Sequence, residues 1–146
     1  MLGVDFFAPW LETIQQSPLW SELLEVAAAD SADAPATGPL LKPYCDALQD
    51  LCSRLALSAV QRSDLDHALG QFAEETLLAV RSSSPEEDLA TASFAGGYET
   101  TLGVIRKTLE AALVSCFTSL LDERVVTYKQ QNQLPLDNPR IAVIVQ

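Results

Sequence analysis

The only histidine, His67, stands in "SDLDHALGQF", with Asp64 and Asp66 just before it and Glu74 two helical turns beyond. Nucleophilic and acid-base catalysis need such a set, an imidazole oriented by a carboxylate beside a nucleophile or a substrate proton. The aspartates also suit the first turn of a helix, where carboxylates are stabilised by the helix dipole. On that reading His67 is a boundary residue without chemical work. Cys45, Cys52 and Cys116 are the available thiols. A Cys52-His67 pair would require a tertiary contact that spacing alone does not supply.

Metal chemistry is short of donors. A carboxylate-bridged bundle site needs Glu-x-x-His twice, and a zinc site needs clustered Cys and His. Glu74-Glu75 and Glu86-Glu87-Asp88 are adjacent in sequence, which on a helix spreads them around a solvated face. The stretch "FAGGYETTLG" has the glycines and the Thr100 and Thr101 hydroxyls of a phosphate-binding loop. It lacks the lysine and the spacing of a P-loop and does not follow an expected strand. Gly96-Gly97 reads instead as a helix break or a close helix crossing. No catalytic residue, cofactor or metal is expected.

The elements around these residues read as helical. At 146 residues the chain is long enough for one domain with a single core. Pro9 and Pro18 sit at first-turn positions and Ser17 is a good N-cap, giving two short helices that bury Trp10, Ile14, Trp20 and Leu23. Residues 30–39, "DSADAPATGP", form the one clear linker. Leu41, Tyr44, Cys45, Leu48, Leu51, Cys52 and Leu55 recur at helical spacing. A further helix opens at Ser63, with a stripe from Leu65 through Leu69 and Phe72 to Leu77 and Val80. Ser84-Pro85-Glu86-Glu87 gives the strongest helix start in the chain. Leu102, Ile105, Leu109, Cys116 and Leu120 then alternate steps of three and four as the longest amphipathic helix. After Pro135 and Pro139, "IAVIV" is β-branched and reads as extended. The expected fold is all-α: a single-domain bundle of five or six helices with an extended apolar C-terminal tail, about 134–146.

Charge excludes some partners. The net charge is −11, and residues 1–100 carry sixteen acids against four bases. Nucleic-acid affinity rests on Lys and Arg displacing counterions, so this surface would repel it. No run approaches the roughly 18 apolar residues of a membrane span. Cys45 and Cys52, seven residues apart on one helix, lie roughly 10 Å apart along its axis, too far for a bridge. Reduced thiols and no leader point to the cytoplasm.

These observations favour a non-enzymatic protein-interaction module, an acidic adaptor, regulator or chaperone-like subunit that self-associates, with a dimer expected. The interaction candidates are Ile141, Val143, Ile144 and Val145 of the tail, with Leu102, Ile105, Leu109 and Leu120 of the long helix. The tail has three possible homes: its own helices, a second subunit, or a partner's sheet edge. Two other readings stand. An acidic inhibitor or immunity-type protein would cover a basic site, and a binder of an apolar small molecule would use the interior between the two tryptophan-bearing N-terminal helices and the long last helix.

Overall fold

A computed structural model of the protein describes residues 1–29, 38–83 and 100–146. Six α-helices and three strands lie in these residues. The helices are α1 (Ala8–Gln15), α2 (Pro18–Ala29), α3 (Gly38–Cys52), α4 (Ala59–Ala68), α5 (Leu109–Thr118) and α6 (Glu123–Gln131). The strands are β1 (Leu78–Ser83), β2 (Thr100–Val104) and β3 (Ala142–Val145). They form one antiparallel sheet in the order β2-β1-β3. The protein is therefore a mixed α/β unit, and the expectation of an all-α bundle is corrected.

The error has a local cause. "LLAVRSS" and "TTLGV" are short apolar runs, and periodicity over so few residues does not separate a strand from a buried helix turn. Tertiary pairing decides for strand. Val80 faces Thr101, Arg81 faces Thr100, and a bulge interrupts the ladder between Leu78 and Val80. Gly103 takes φ +71°, a left-handed conformation that a helical seam through Leu102 and Ile105 could not contain. What reads as one long helix is thus β2, a 3-10 turn at Arg106–Thr108, α5, a second 3-10 turn at Ser119–Leu121, and α6.

Other boundaries move for visible reasons. The helix expected to open at Ser63 opens at Ala59, because Ser58 and Gln61 form a capping box. The Ser58 side chain accepts the Gln61 N–H at 3.2 Å, and Gln61 Oε1 accepts the Ser58 N–H at 2.9 Å. The same helix ends at Ala68, so Phe72 and Val80 do not share its face. The two N-terminal helices lie as expected. The helix start expected at Ser84–Glu87, the break expected at Gly96-Gly97 and residues 30–37 of the linker expected at 30–39 lie outside the described residues, while Gly38 and Pro39 open α3 rather than end a linker.

One core joins helices and sheet. Phe7, Trp10 and Phe117 meet with ring centroids 5.5–5.9 Å apart, geometry that favours aromatic pairs beyond their burial. Trp10 Nε1 donates to the Ala56 carbonyl at 3.0 Å, so burying the ring strands no donor. Leu41, Cys45, Leu48 and Cys52 are fully buried along α3. The C-terminal stretch finds its place in this same unit, where Val143 is 0% exposed and Ile141 2%. Among the described residues no helix is long and apolar enough to cross a membrane.

Candidate functional site

The sheet has two unlike faces. Side chains alternate along a strand, and residues directly opposite one another share a face. Val80, with no exposure, points into the helices. Arg81 therefore points the other way, and it is exposed. Its register partners are Thr100 on β2 and Ile144 on β3, which place a hydroxyl on one side of the guanidinium and an aliphatic chain on the other. Leu102, 75% exposed, follows on the β2 edge of the sheet. No carboxylate among the described residues pairs with Arg81. Ser82 and Ser83 complete β1 beside it.

This placement follows from sequence. "LLAV" is apolar because its alternate residues must reach the core, and the run turns polar at Arg81-Ser82-Ser83 where β1 leaves it. β1 and β2 are adjacent antiparallel strands, so the end of β1 and the start of β2 coincide in space. A guanidinium without an acidic partner presents forked N–H donors suited to phosphate oxygens, and a threonine hydroxyl adds one donor. A groove of about 1060 Å³ runs along α3 and α5 and reaches Thr100, with Lys107, Glu110, Asp122 and Arg124 also on its wall; Arg81 does not line it. Farther along it, Asp122 is held below the ordinary carboxylate range, first by its hydrogen bond from the Arg124 guanidinium and against the opposing effect of partial burial.

The residues singled out from sequence are scattered. His67 is exposed in the last turn of α4, whereas Cys52 is fully buried in α3. Leu109, Leu120, Ile141 and Val143 are buried in the chain's own core. Ile105, Ile144 and Val145 are half-buried, and Leu102 alone of the eight interaction candidates is exposed. Arg81 was not singled out. Its signal is an apolar run of strand length that ends in arginine and serines ahead of the glycine pair. Thr100 reads from sequence as an anion-binding hydroxyl, in a stretch that lacks the lysine and spacing of a P-loop and has no expected strand before it.

A family model described as pyruvate phosphate dikinase, AMP/ATP-binding domain, matches residues 41–146, which include both strands of the Arg81-Thr100 pair. The chain belongs to this AMP/ATP-binding domain family. It is 43% identical over 83 residues to a rifampicin phosphotransferase of Streptomyces sviceus, covering 56% of this chain and 10% of that protein. It is 35% identical over 130 residues to a rifampicin phosphotransferase of a Streptomyces species, covering 79% and 15% respectively. It is 44% identical over 55 residues to a phosphoenolpyruvate synthase of Aquifex aeolicus, covering 37% and 6%. The chain thus spans about a tenth of the length of the first of these relatives.

Membership in the AMP/ATP-binding domain family overturns the expectation of a non-enzymatic adaptor or regulator. The physical reason is chemical: histidines, thiols and metal ligands mark nucleophiles and bases, whereas phosphoryl transfer is catalysed mainly by positioning and by charge stabilisation. A domain that binds nucleotide phosphates for such a reaction needs guanidinium, hydroxyl and backbone donors.

Proposed function

We propose that this chain supplies part of the nucleotide-binding lobe of an ATP-dependent phosphotransferase, with Arg81 and Thr100 contacting the nucleotide phosphates. One observation carries the reading. Within the stretch matched by the AMP/ATP-binding family model, an exposed arginine without an acidic partner among the described residues stands directly opposite an exposed threonine, on the face of the sheet opposite Val80. Arg81 would grip two phosphate oxygens through its fork and offset their charge, and Thr100 would donate its hydroxyl to a third. No side chain of this site need lose or gain a proton. Its contribution is to hold the phosphates in one orientation, so that the transfer is not slowed by the search for alignment.

The test is an ATP titration of the intact protein, followed by calorimetry, beside its Arg81→Ala variant. Hydrogen bonds to charged groups each contribute about 1.5–3 kcal/mol, so the variant should lose about tenfold or more in affinity. Arg81→Lys keeps the charge without the fork and should recover part of the loss. ATP affinity unchanged in Arg81→Ala overturns the assignment.

A further inference from the structure

The sheet that carries Arg81 does not end at β3. On the outer side of β3, the Leu2 N–H donates to the Val143 carbonyl at 2.7 Å, and the Val143 N–H donates to the Leu2 carbonyl at 2.9 Å. Leu2 is thus a fourth-strand residue reduced to one bridge, and its side chain is buried. The residues that follow anchor it. The Phe6 carbonyl accepts from Gln61 Nε2 at 2.7 Å, Phe7 stacks on Phe117, and Trp10 donates to the Ala56 carbonyl. Residues 2–10 therefore bind the edge of the sheet to α4, to the connection between α3 and α4, and to α5. All of them precede residue 41, where the family match begins.

We propose that this N-terminal segment is a positioning device for the nucleotide site, with Leu2 as the positioning residue that holds β3, and through it Arg81, in place. The proposal rests on the reading of Arg81 as a phosphate contact. The chain of backbone pairing is short. Leu2 fixes Val143, the neighbouring Ile144 is the register partner of Arg81, and Arg81 is the partner of Thr100. β3 has only four residues. An edge strand that short, paired on one side alone, frays readily. Bonding Val143 on its free side restrains the middle of β3 next to the pair that orients Arg81.

Leu2→Pro in the intact protein tests this, since proline removes the N–H that bonds the Val143 carbonyl and leaves the Leu2 carbonyl in place. Two readouts are taken well below the melting temperature: amide exchange at Val143, Ile144 and Arg81, and the dissociation constant for ATP. Loss of one such bond should speed exchange at all three amides and weaken ATP by about fivefold. Val126→Ala, a core change in α6, is the comparison; it should lower the melting temperature while leaving both readouts near wild type. Where Leu2→Pro does not fold, Leu2→Ala keeps the backbone bridge, loses the buried side chain, and should show the same changes in smaller degree. Exchange at Arg81 and ATP affinity both unchanged in the Leu2 variant, or changed equally in Val126→Ala, would overturn the proposal. Failure of the phosphate reading itself is distinguishable. It appears as Arg81→Ala without effect on ATP, in which case exchange at Arg81 still decides whether Leu2 positions β1.

Discussion

Arg81 and Thr100 face each other across the ladder of β1 and β2, so their side chains leave the same face of the sheet. That face is turned away from the helices, since Val80, the neighbour of Arg81, is buried on the other. The pairing puts a permanent cation and a hydroxyl within reach of one ligand. Neither residue is brought there by sequence proximity. The ladder does it, and whatever holds the ladder holds the site.

The C-terminal strand is one such support. Ile141 is 2% exposed in the common core, and truncating a buried isoleucine to alanine costs about 2–5 kcal/mol through lost transfer energy and the cavity left behind. Ile141→Ala should lower the urea midpoint accordingly. Ile144→Ala, half-buried on the opposite face, should cost less than half as much. Equal losses at the two positions would contradict the assignment of faces.

How much of this was legible in the sequence depended on length of run and on partner. The α1 and α2 boundaries are marked by Pro9, Ser17 and Pro18, and the buried stripe of α3 runs for about three turns from Leu41 to Cys52, so both are legible. "IAVIV" is legible as extended but not as paired within its own chain, because its partner β1 reads as the end of a helical stripe. The stretch from Leu102 to Leu120 mimics one amphipathic helix through spacing alone. The φ of Gly103, the pairing of β2 with β1 and the 3-10 turns at Arg106–Thr108 and Ser119–Leu121 divide it, and none of these is a property of sequence spacing. Arg81 carries no signal of its own in the sequence, because what stands opposite it is set by strand pairing.

Glu110 joins α5 to the start of α4. Its carboxylate accepts the Leu57 N–H at 2.8 Å and pairs with the Arg62 guanidinium at 2.9 Å. The two bonds differ in worth. Arg62 is 54% exposed, and exposed ion pairs contribute about 0–1 kcal/mol. The Leu57 N–H is partly buried, and stranding such a donor costs about 1–3 kcal/mol. Glu110→Ala should therefore destabilise clearly more than Arg62→Ala in matched denaturant melts. Glu110→Gln, whose amide oxygen can still accept from Leu57, should fall between them.

Burial pushes the Cys45 and Cys52 thiols up from 9.0 to about 12, with nearby Glu123 and Asp46 adding to the effect at Cys45. Below pH 9 both the folded and the unfolded chain keep these protons. Between about 9 and 12 the unfolded chain releases them while the folded one does not, so stability is lost as pH rises through that window, by up to about 1.4 kcal/mol per pH unit for each thiol. Thiol-reagent titration at about pH 8 should find both cysteines slow in the native protein and fast in denaturant. In Cys45→Ala/Cys52→Ala, the alkaline fall in stability should be shallower than in wild type.

The central claim is that Arg81 and Thr100 hold the same phosphates. The most direct measurement is a double-mutant cycle on ATP affinity in the intact protein, built from Arg81→Ala, Thr100→Val and the two combined. Residues that share a ligand group couple by about 0.5–3 kcal/mol, whereas independent sites add. Each single variant should weaken ATP binding, and the double variant should lose less than the sum of the two, by at least about 0.5 kcal/mol. Strictly additive losses, or ATP binding indifferent to either change, would contradict it.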